Sequence, residues 1–354
     1  MRFFHHQSEA RAQTRRLLGL FALTVLGLVL AMNGALALTW WAVRWGLNGV
    51  VSGYPAYFFT VNTALTLLFV LGGWWIETSA LKGGRRRRHG GGGGGGGEAL
   101  ARRAGAREAW PASREAERKL CNIVQELAIA ASMPPPQAMV LDRVDSINAF
   151  AAGWDADDAV VAVTRGALDN LTRDELQGLV AHELSHLREG DTRLNMRLAG
   201  MVFGLEMVFN LGRTMCAPND DGHRSALALP GFAVMAVGSL GWLAGRALKA
   251  AVSRQREFLA DARAVQFTRS KDGLGGVLRK VAGQSHEAPA SHLHPAVQHM
   301  LLVSPADGAA APWLATHPPL SERIRRVYGR PMPPLRRQRD DGSRSRPAGL
   351  FQER

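Results

Sequence analysis

The stretch His182-Glu183-Leu184-Ser185-His186 decides how the fold of this chain is interpreted. Two histidines four residues apart lie on the same face of a helix, one turn apart, so both imidazoles can reach one metal ion. The glutamate after the first histidine points near that metal without taking the third ligand position, which suits a carboxylate that accepts a proton from water. The stretch therefore predicts a helix that carries a zinc site with hydrolytic chemistry.

The flanking residues favour this helix over an ordinary surface helix that happens to contain two histidines. Thr172 and Glu175 have the spacing of a capping box, and Gly190-Asp191 is a typical helix end. Apolar residues recur between these signals at helical spacing and predict a buried face. They are Leu176, Leu179, Val180 and Leu187.

A third ligand is expected from elsewhere, because catalytic zinc takes three protein ligands and keeps one position for water. Glu257 and Asp261 lie four apart in the stretch from Ser253 to Asp261. One carboxylate can bind the metal while the other orients a ligand histidine through its second nitrogen. The spacing alone also fits a solvated helix face or salt bridges to nearby arginines.

Short elements precede the histidine helix and predict an α+β catalytic unit. The range 114–131 has helical periodicity and ends before three prolines. Three short runs separated by Asp- and Gly-containing turns are typical of strands. They are Ala138 to Leu141, Ser146 to Ala151 and Ala159 to Thr164.

Four apolar runs predict membrane spans. Leu17 to Val43 and Tyr57 to Ile76 carry no charge and are long enough to cross a bilayer, the first being too long for a usual signal peptide. Leu227 to Gly245 is also of spanning length, whereas Leu198 to Leu211 is shorter and contains Glu206. Zinc ligands on both sides of the last two runs must share one side of the membrane, so that pair crosses twice or not at all. The sparse charges between Gly212 and Ser225, against the basic residues Lys249, Arg254 and Arg256 that follow, favour two crossings.

The formal net charge of +13 is concentrated beside the apolar runs and in the tail. Arginines precede the first span, and Lys82 with Arg85 to Arg88 follows the second, whereas only Arg44 lies between the two. By the positive-inside rule, the N-terminus and the histidine helix face the cytoplasm. No stacking-aromatic or recognition-helix pattern accompanies the arginines, which argues against nucleic acid as a partner.

The chain divides into four predicted segments. Residues 1–82 form an N-terminal membrane region, and 83–110 a flexible linker with four arginines and a glycine tract. Residues 111–330 form the catalytic domain, with a membrane hairpin at about 198–245. The basic tail, 331–354, has few core-forming residues and is expected to be disordered.

The combined motifs resemble the M48 family of membrane zinc metallopeptidases. The matching blocks follow the family order from about residue 115 to 330. They are Asn148 to Ala151, Ala159 to Thr164, His182 to His186 with Gly190-Asp191, Arg256 to Asp261, and Thr316 to Leu320 with Glu322-Arg323-Ile324. The resemblance implies a zincin-like α+β catalytic domain, mainly helical, with about four transmembrane helices. These would be an N-terminal pair and a hairpin inserted between zinc ligands.

The resemblance also implies roles for individual residues. His182, His186 and Glu257 would ligate one zinc ion, and Glu183 would be the general base. Asp261 and Asp191 would orient ligand histidines. His317 would approach the metal or stabilise the oxyanion, or alternatively belong to a loop that caps the final helix. Asn148, Ala149 and Phe150 would form the edge strand that pairs with an extended peptide.

These features predict a multi-pass endopeptidase of the bacterial inner membrane, with its active site facing the cytoplasm. Its expected partners are polypeptide substrates, the lipid bilayer and membrane quality-control proteins. The favoured function is hydrolysis of misfolded or damaged membrane and cytoplasmic proteins during stress. The alternatives are a processing peptidase dedicated to one substrate and a non-catalytic membrane scaffold with a structural metal.

Overall fold

The computed structural model describes residues 2–46, 53–82, 96–218, 227–284, 301–302 and 315–335. The helices of these residues, apart from short turns, are α1 (Arg2–Gly46), α2 (Phe58–Lys82), α3 (Gly96–Arg103), α4 (Glu115–Ala130), α5 (Arg165–Asn170), α6 (Arg173–Glu189), α7 (Asp191–Cys216), α8 (Ala228–Thr268), α9 (Lys271–Gly283) and α10 (Leu320–Tyr328). The strands are β1 (Arg107–Glu108), β2 (Gln137–Leu141), β3 (Ala149–Ala152) and β4 (Val160–Thr164). The predicted α+β class, mainly helical, is confirmed.

The four strands form one small mixed sheet in the order β1-β2-β4-β3. β2 and β4 are parallel, with Met139 opposite Ala162, whereas β3 runs antiparallel to β4, with Phe150 opposite the same Ala162. β3 therefore lies at one edge of the sheet. Both faces of β4 are buried, which explains why its sequence is a continuous apolar run and does not alternate with polar residues.

Two hydrophobic cores cover the two faces of the sheet. On one face, Val161 and Val163 pack with apolar residues of α4, α6, α9 and α10. On the other face, Val160 and Ala162 pack with α3, the end of α2 and the start of α7. A third core holds α1, α2, α7 and α8 together as a bundle. Helix α7 joins the second and third cores, so the bundle and the sheet are packed as neighbours.

Three helical segments of the described residues are long and apolar enough to cross a membrane: Leu18–Gly46, Phe58–Lys82 and Ala228–Thr268. They include three of the four predicted spans. Helix α7 is not among them, although it packs against both α2 and α8. Its contacts are made through small residues: a Cβ added at Gly204 would lie 3.1 Å from Trp74 N on α2. The fourth crossing stays a prediction.

The predicted linker is structured over part of its length. Residues 83–95 lie outside the described residues, but Gly96–Arg103 form α3 and Arg107–Glu108 form β1. The last two glycines of the tract are buried against the sheet, and a Cβ added at Gly97 would lie 2.8 Å from Ala152 O. The tight packing therefore requires glycine at this position. The glycine content of the tract does not by itself show whether a glycine serves tight packing or chain flexibility. Among the described residues, the segment that packs against the sheet therefore includes 96–110, which precede the predicted start of the domain at residue 111.

The first residues of the predicted disordered tail are also attached to the domain. Leu335 N–H donates to Arg279 O at 2.9 Å, and Arg279 Nε donates to Pro333 O at 2.8 Å. Met332 packs against the core that contains α9. These contacts order residues 331–335, whereas 336–354 lie outside the described residues.

Candidate active site

Helix α6 carries the two histidines, and both of its ends have the predicted caps. The Thr172 side chain accepts from Glu175 N–H, and the Glu175 carboxylate accepts from Thr172 N–H at 2.8 Å. At the other end Gly190 has a φ of 76°, which glycine adopts without steric cost. Between these caps, His182 and His186 project from one face, and their Nε2 atoms lie 3.2 Å apart.

Glu257 reaches the same point from α8, which packs against α6. Its Oε2 lies 3.7 Å from His182 Nε2, and its Oε1 lies 3.5 Å from His186 Nε2. His182 and Glu257 are buried, with exposed fractions of 1% and 6%. Within the part of the chain that the structure describes, His182, His186 and Glu257 form the one group of three residues arranged to hold a metal ion.

Two further carboxylates hold the outer nitrogens of the histidines. Asp261 Oδ1 lies 3.0 Å from His182 Nδ1, and Asp191 Oδ2 lies 2.9 Å from His186 Nδ1. A carboxylate beside Nδ1 favours the tautomer that carries its proton there. The Nε2 lone pairs of both rings then face each other, an arrangement that a shared cation stabilises.

The donor spacing fits a tetrahedral zinc site. Two ligand atoms bound at about 2.0–2.1 Å and separated by the tetrahedral angle lie about 3.3 Å apart. The two Nε2 atoms lie 3.2 Å apart, His186 Nε2 lies 3.5 Å from Glu257 Oε1, and His182 Nε2 lies 3.7 Å from Glu257 Oε2. The side chains are therefore arranged for a metal with only small adjustments.

The charges of the site also fit a divalent cation. Buried carboxylates outnumber the guanidinium groups that compensate them, and buried charges without compensation are costly. The carboxylates belong to Glu183, Asp191, Glu257 and Asp261, and the guanidinium groups to Arg256, which pairs with Asp191, and Arg323. Asp191, Glu257 and Asp261 alone outnumber the two guanidinium groups, and this excess of negative charge favours a bound cation.

Glu183 lies beside the three candidate ligands and is 1% exposed. Its carboxylate accepts a hydrogen bond from Ala151 N–H on β3, whereas Oε1 has no hydrogen-bond partner among the described residues. Burial raises the pKa of Glu183 to about 8. An elevated carboxylate pKa is typical of groups that accept and return a proton near neutral pH.

The sequence analysis quoted Arg323 only as part of a matching block and assigned it no role. The structure places it, fully buried, at the centre of the site. Its guanidinium group binds both oxygens of Asp261 and contacts Glu257 Oε2 at 3.1 Å. Only the tertiary structure brings α10 to α8, so nothing in the local sequence of α10 indicates this role.

The predicted substrate-binding strand lies beside Glu183 at the edge of the sheet. Asn148 O accepts from Thr164 N–H, so the backbone of that residue faces β4. Alternation along an antiparallel strand turns Ala149 and Ala151 toward the free edge and Phe150 toward β4. Phe150 is fully buried, so its side chain contributes to the core. The structure thus leaves Ala149 of the predicted trio, together with Ala151, to present edge groups.

Part of this edge is paired within the chain. Leu302 N–H donates to Ala149 O at 3.0 Å, and the Asn148 side-chain oxygen accepts from Ala149 N–H at 3.0 Å. Leu301 packs into the core on one face of the sheet and Leu302 into the core on the other. These two residues therefore occupy a strand-like position next to Ala149.

His317 reaches the site from the loop that precedes α10. Its Nε2 lies 3.8 Å from Glu257 Oε1, and its side chain is 7% exposed. Helix α10 begins after Pro319, and no side chain caps that end. The position of His317 thus supports the site-related interpretation over the capping interpretation.

Comparison with known proteins agrees with this geometry. The model of peptidase family M48 matches residues 114–330, which is more than half of the chain. The chain belongs to peptidase family M48. The matched range contains α6, the second half of α8 and α10, and hence every side chain of the candidate site.

Relatives of this M48 peptidase include two proteins named "Protease HtpX homolog". That of Dictyoglomus thermophilum is 36% identical over 232 residues, which cover 65% of this chain and 74% of the relative. That of Syntrophobacter fumaroxidans is 34% identical over 229 residues, 62% of this chain and 78% of the relative. The crystal structure of S. mikatae Ste24p aligns with 75% of this chain and 64% of its own at 15% identity and a TM-score of 0.38.

Family membership and the apolar helices together define the coarse class of the protein. The sequence-based assignment to family M48 is confirmed, and the chain is a metalloprotease with helices suited to a membrane. The His-His-Glu group is the place in its described residues where a metal can be held.

Proposed function

We propose that this M48 peptidase is a zinc-dependent endopeptidase that hydrolyses misfolded or damaged membrane and cytoplasmic proteins. The observation that carries the proposal is the buried triangle of His182, His186 and Glu257 donors with the Glu183 carboxylate beside it. A purely structural metal site needs no such carboxylate, so the geometry disfavours the scaffold alternative.

His182, His186 and Glu257 would hold the zinc ion, with Asp261 and Asp191 orienting the two rings. Nitrogen and carboxylate donors suit zinc, and three protein ligands are typical of catalytic sites. When bound, zinc would supply a Lewis acid that lowers the pKa of water and polarises the scissile carbonyl.

Glu183 would act as the general base and then the general acid. Its carboxylate accepts a proton from the attacking water and delivers that proton to the leaving amine. Ala151 N–H holds the carboxylate in place on one side, which leaves Oε1 for the reaction. His317 would assist by donating to the oxygen that becomes negatively charged in the transition state.

The substrate backbone would pair with the edge of β3. Because Ala149 O accepts from Leu302 N–H and Ala151 N–H donates to Glu183, the peptide would pair through the outward-facing Ala151 O. Pairing through the backbone does not depend on the side chains of the peptide. The small alanine side chains on this strand add little selection of their own. Broad substrate acceptance, as quality control requires, is supported over dedication to one substrate.

The active site would face the cytoplasm from the inner membrane. The end of α2 is packed into the catalytic unit, where Trp154 Nε1 donates to Leu81 O at 3.1 Å and Lys82 lies over the Trp154 ring. The catalytic unit must therefore lie on the side where α2 ends. The basic residues that follow α2 assign this side to the cytoplasm by the positive-inside rule.

The test is the substitution Glu183→Gln in the full chain, purified in detergent and assayed on casein and on an unfolded membrane protein. We expect zinc content to stay at the wild-type level while the rate falls by about 10²–10⁴-fold, the usual contribution of a general base. Glu126→Gln is the control, because Glu126 is exposed and pairs with Arg173 at the start of α6. Wild-type activity in zinc-loaded Glu183→Gln protein would refute the assignment.

The same variant separates quality control from dedicated processing. In cells, Glu183→Gln protein would retain substrates without cleaving them, and proteomics of the captured proteins would count them. Many unrelated proteins support the quality-control function, whereas one dominant protein supports the processing alternative.

A further inference from the structure

Arg323 is the arginine of α10 that points into the metal centre, and its side chain is fully buried. A buried guanidinium group is tolerated only where several acceptors compensate its charge. Its contacts reach Asp261, Glu257 and the backbone of Leu302. Its neighbours on α10 differ, because Arg325 and Arg326 are exposed and pair with Glu322.

The first connection runs through Asp261 to a candidate ligand. Arg323 Nε and Nη2 donate to the two oxygens of Asp261 at 2.9 and 2.7 Å. Asp261 in turn lies 3.0 Å from His182 Nδ1. Two parallel hydrogen bonds fix the plane of a carboxylate, so Arg323 determines how Asp261 is presented to the His182 ring.

The second connection reaches Glu257 directly. Arg323 Nη1 lies 3.1 Å from Glu257 Oε2, while Glu257 Oε1 lies 3.5 Å from His186 Nε2. The guanidinium group thus lies against Oε2, the oxygen nearer to His182, while Oε1 is the oxygen nearer to His186. This contact fixes the orientation of the Glu257 carboxylate between the two histidines.

A third contact fixes the guanidinium group through the backbone of Leu302. Arg323 Nη1 donates to Leu302 O at 3.0 Å, and Leu302 N–H donates to Ala149 O on the edge strand. The group is therefore held by α8, by β3 through Leu302, and by its own helix. A lysine would keep the positive charge but lacks the planar fork that makes these bonds together.

We propose that Arg323 is a positioning residue of the metal centre, which fixes the orientation of the Glu257 carboxylate and holds Asp261 against His182, and thereby sets the metal affinity. The inference rests on the proposed metal-binding role of His182, His186 and Glu257. It adds that docking of α10 completes the site, because the guanidinium group that orients the Glu257 and Asp261 carboxylates comes from that helix.

The experiment measures zinc affinity in the full chain in detergent micelles, by competition with a chromophoric chelator. Glu183→Gln is present in every protein to prevent self-cleavage. We expect Arg323→Lys to raise the zinc dissociation constant by about 10–100-fold, the usual effect of losing a residue that orients a ligand. Arg325→Lys is the matched control, and its zinc affinity should equal that of the parent.

A spectroscopic measurement separates positioning from a general loss of stability. With Co²⁺ in place of zinc, the visible absorption spectrum of Arg323→Lys should change because the Glu257 carboxylate is no longer held in the same orientation. A remote destabilised variant, Gly238→Ala, should unfold at a lower temperature with an unchanged spectrum. Parental zinc affinity together with a parental cobalt spectrum in Arg323→Lys would overturn the proposal.

A second variant keeps the proposal testable if Arg323→Lys does not fold. The double substitution Asp261→Asn with Arg323→Met removes both members of the Asp261–Arg323 pair and is compared with Asp261→Asn alone. It should bind zinc more weakly than Asp261→Asn because the Arg323 contact with Glu257 is also lost, whereas equal affinity of the two variants would count against Arg323. Absence of zinc binding in the parent itself would contradict the proposed function, which distinguishes that failure from failure of this inference.

Discussion

The two halves of α8 pack closely against their neighbours by different means, the first through small residues and the second through paired charges. In the first half, the buried positions are occupied by small residues such as Gly231, Gly238 and Gly245, while Leu229 and Leu240 are exposed on the outside. In the second half, the same helix buries Glu257 and Asp261 against α6 and α10. One half suits a bilayer, and the other forms a wall of the active site.

The comparison shows why one helix can serve both environments. Helices in a membrane approach closely where side chains are absent, and small residues permit this contact. In the catalytic half, close approach requires that each buried charge find a partner. The first half is therefore sensitive to added volume, and the second to removal of a charge.

The largest expected effect comes from removing the metal, which would leave the excess of buried carboxylates uncompensated in the catalytic half. If zinc is present at about 1,000 times its dissociation constant, its binding contributes about 4 kcal/mol to the free energy of unfolding. We expect a chelator to lower the unfolding temperature of the full chain in micelles. The fluorescence of bundle tryptophans and far-ultraviolet circular dichroism would monitor the transition.

Glu257→Ala provides the control for this experiment, because it removes a proposed ligand from the same half of α8. Its unfolding temperature should not respond to chelator or to added zinc. An equal response in wild-type and Glu257→Ala protein would mean that the metal acts at another place.

An intermediate effect is expected from added volume in the membrane half. A Cβ at Gly238 would lie 2.5 Å from Phe209 N, which belongs to the backbone of α7. Gly238→Ala should reduce the free energy of unfolding by about 1–3 kcal/mol, as overpacking usually does. Gly241→Ala is the matched control, since its Cβ would meet only the flexible end of Leu28 at 3.0 Å. Equal unfolding temperatures for the two variants would contradict this account of the bundle.

The smallest effect is expected from an ion pair at the surface. Arg173 binds both oxygens of Glu126, with exposed side-chain fractions of 52% and 47%. Arg173→Met should change the free energy of unfolding by about 0.5 kcal/mol, because solvent screens an exposed pair. Chemical denaturation of the two proteins would measure this difference. If Arg173→Met lowered the free energy of unfolding as much as Gly238→Ala, the exposed ion pair would stabilise the fold more than its solvent exposure predicts.

Much of the fold and of the site could be predicted because the signals are local. Thr172, Glu175 and Gly190 mark the ends of α6, and the spacing of His182 and His186 sets their common face. Apolar runs of spanning length predicted the cores of α1, α2 and α8. The linker prediction did not anticipate the packing of Gly96 and Gly97. A glycine tract reads the same in the sequence whether its residues are needed for tight packing or for a flexible chain.

The sequence by itself determined the helix with the two histidines, the carboxylate between them and the apolar lengths, since each depends on residues within one or two turns. Only the tertiary structure decided that Glu257, and not Asp261, lies beside the Nε2 atoms of the histidines, that Arg323 compensates both carboxylates, and that the backbone groups of Ala149 and Ala151 point to the outer side of β3. These depend on the packing of helices distant in sequence and on the register of β3 against β4. Contacts of that kind carry no local pattern, because a buried charge is permitted only by partners that the fold brings from elsewhere.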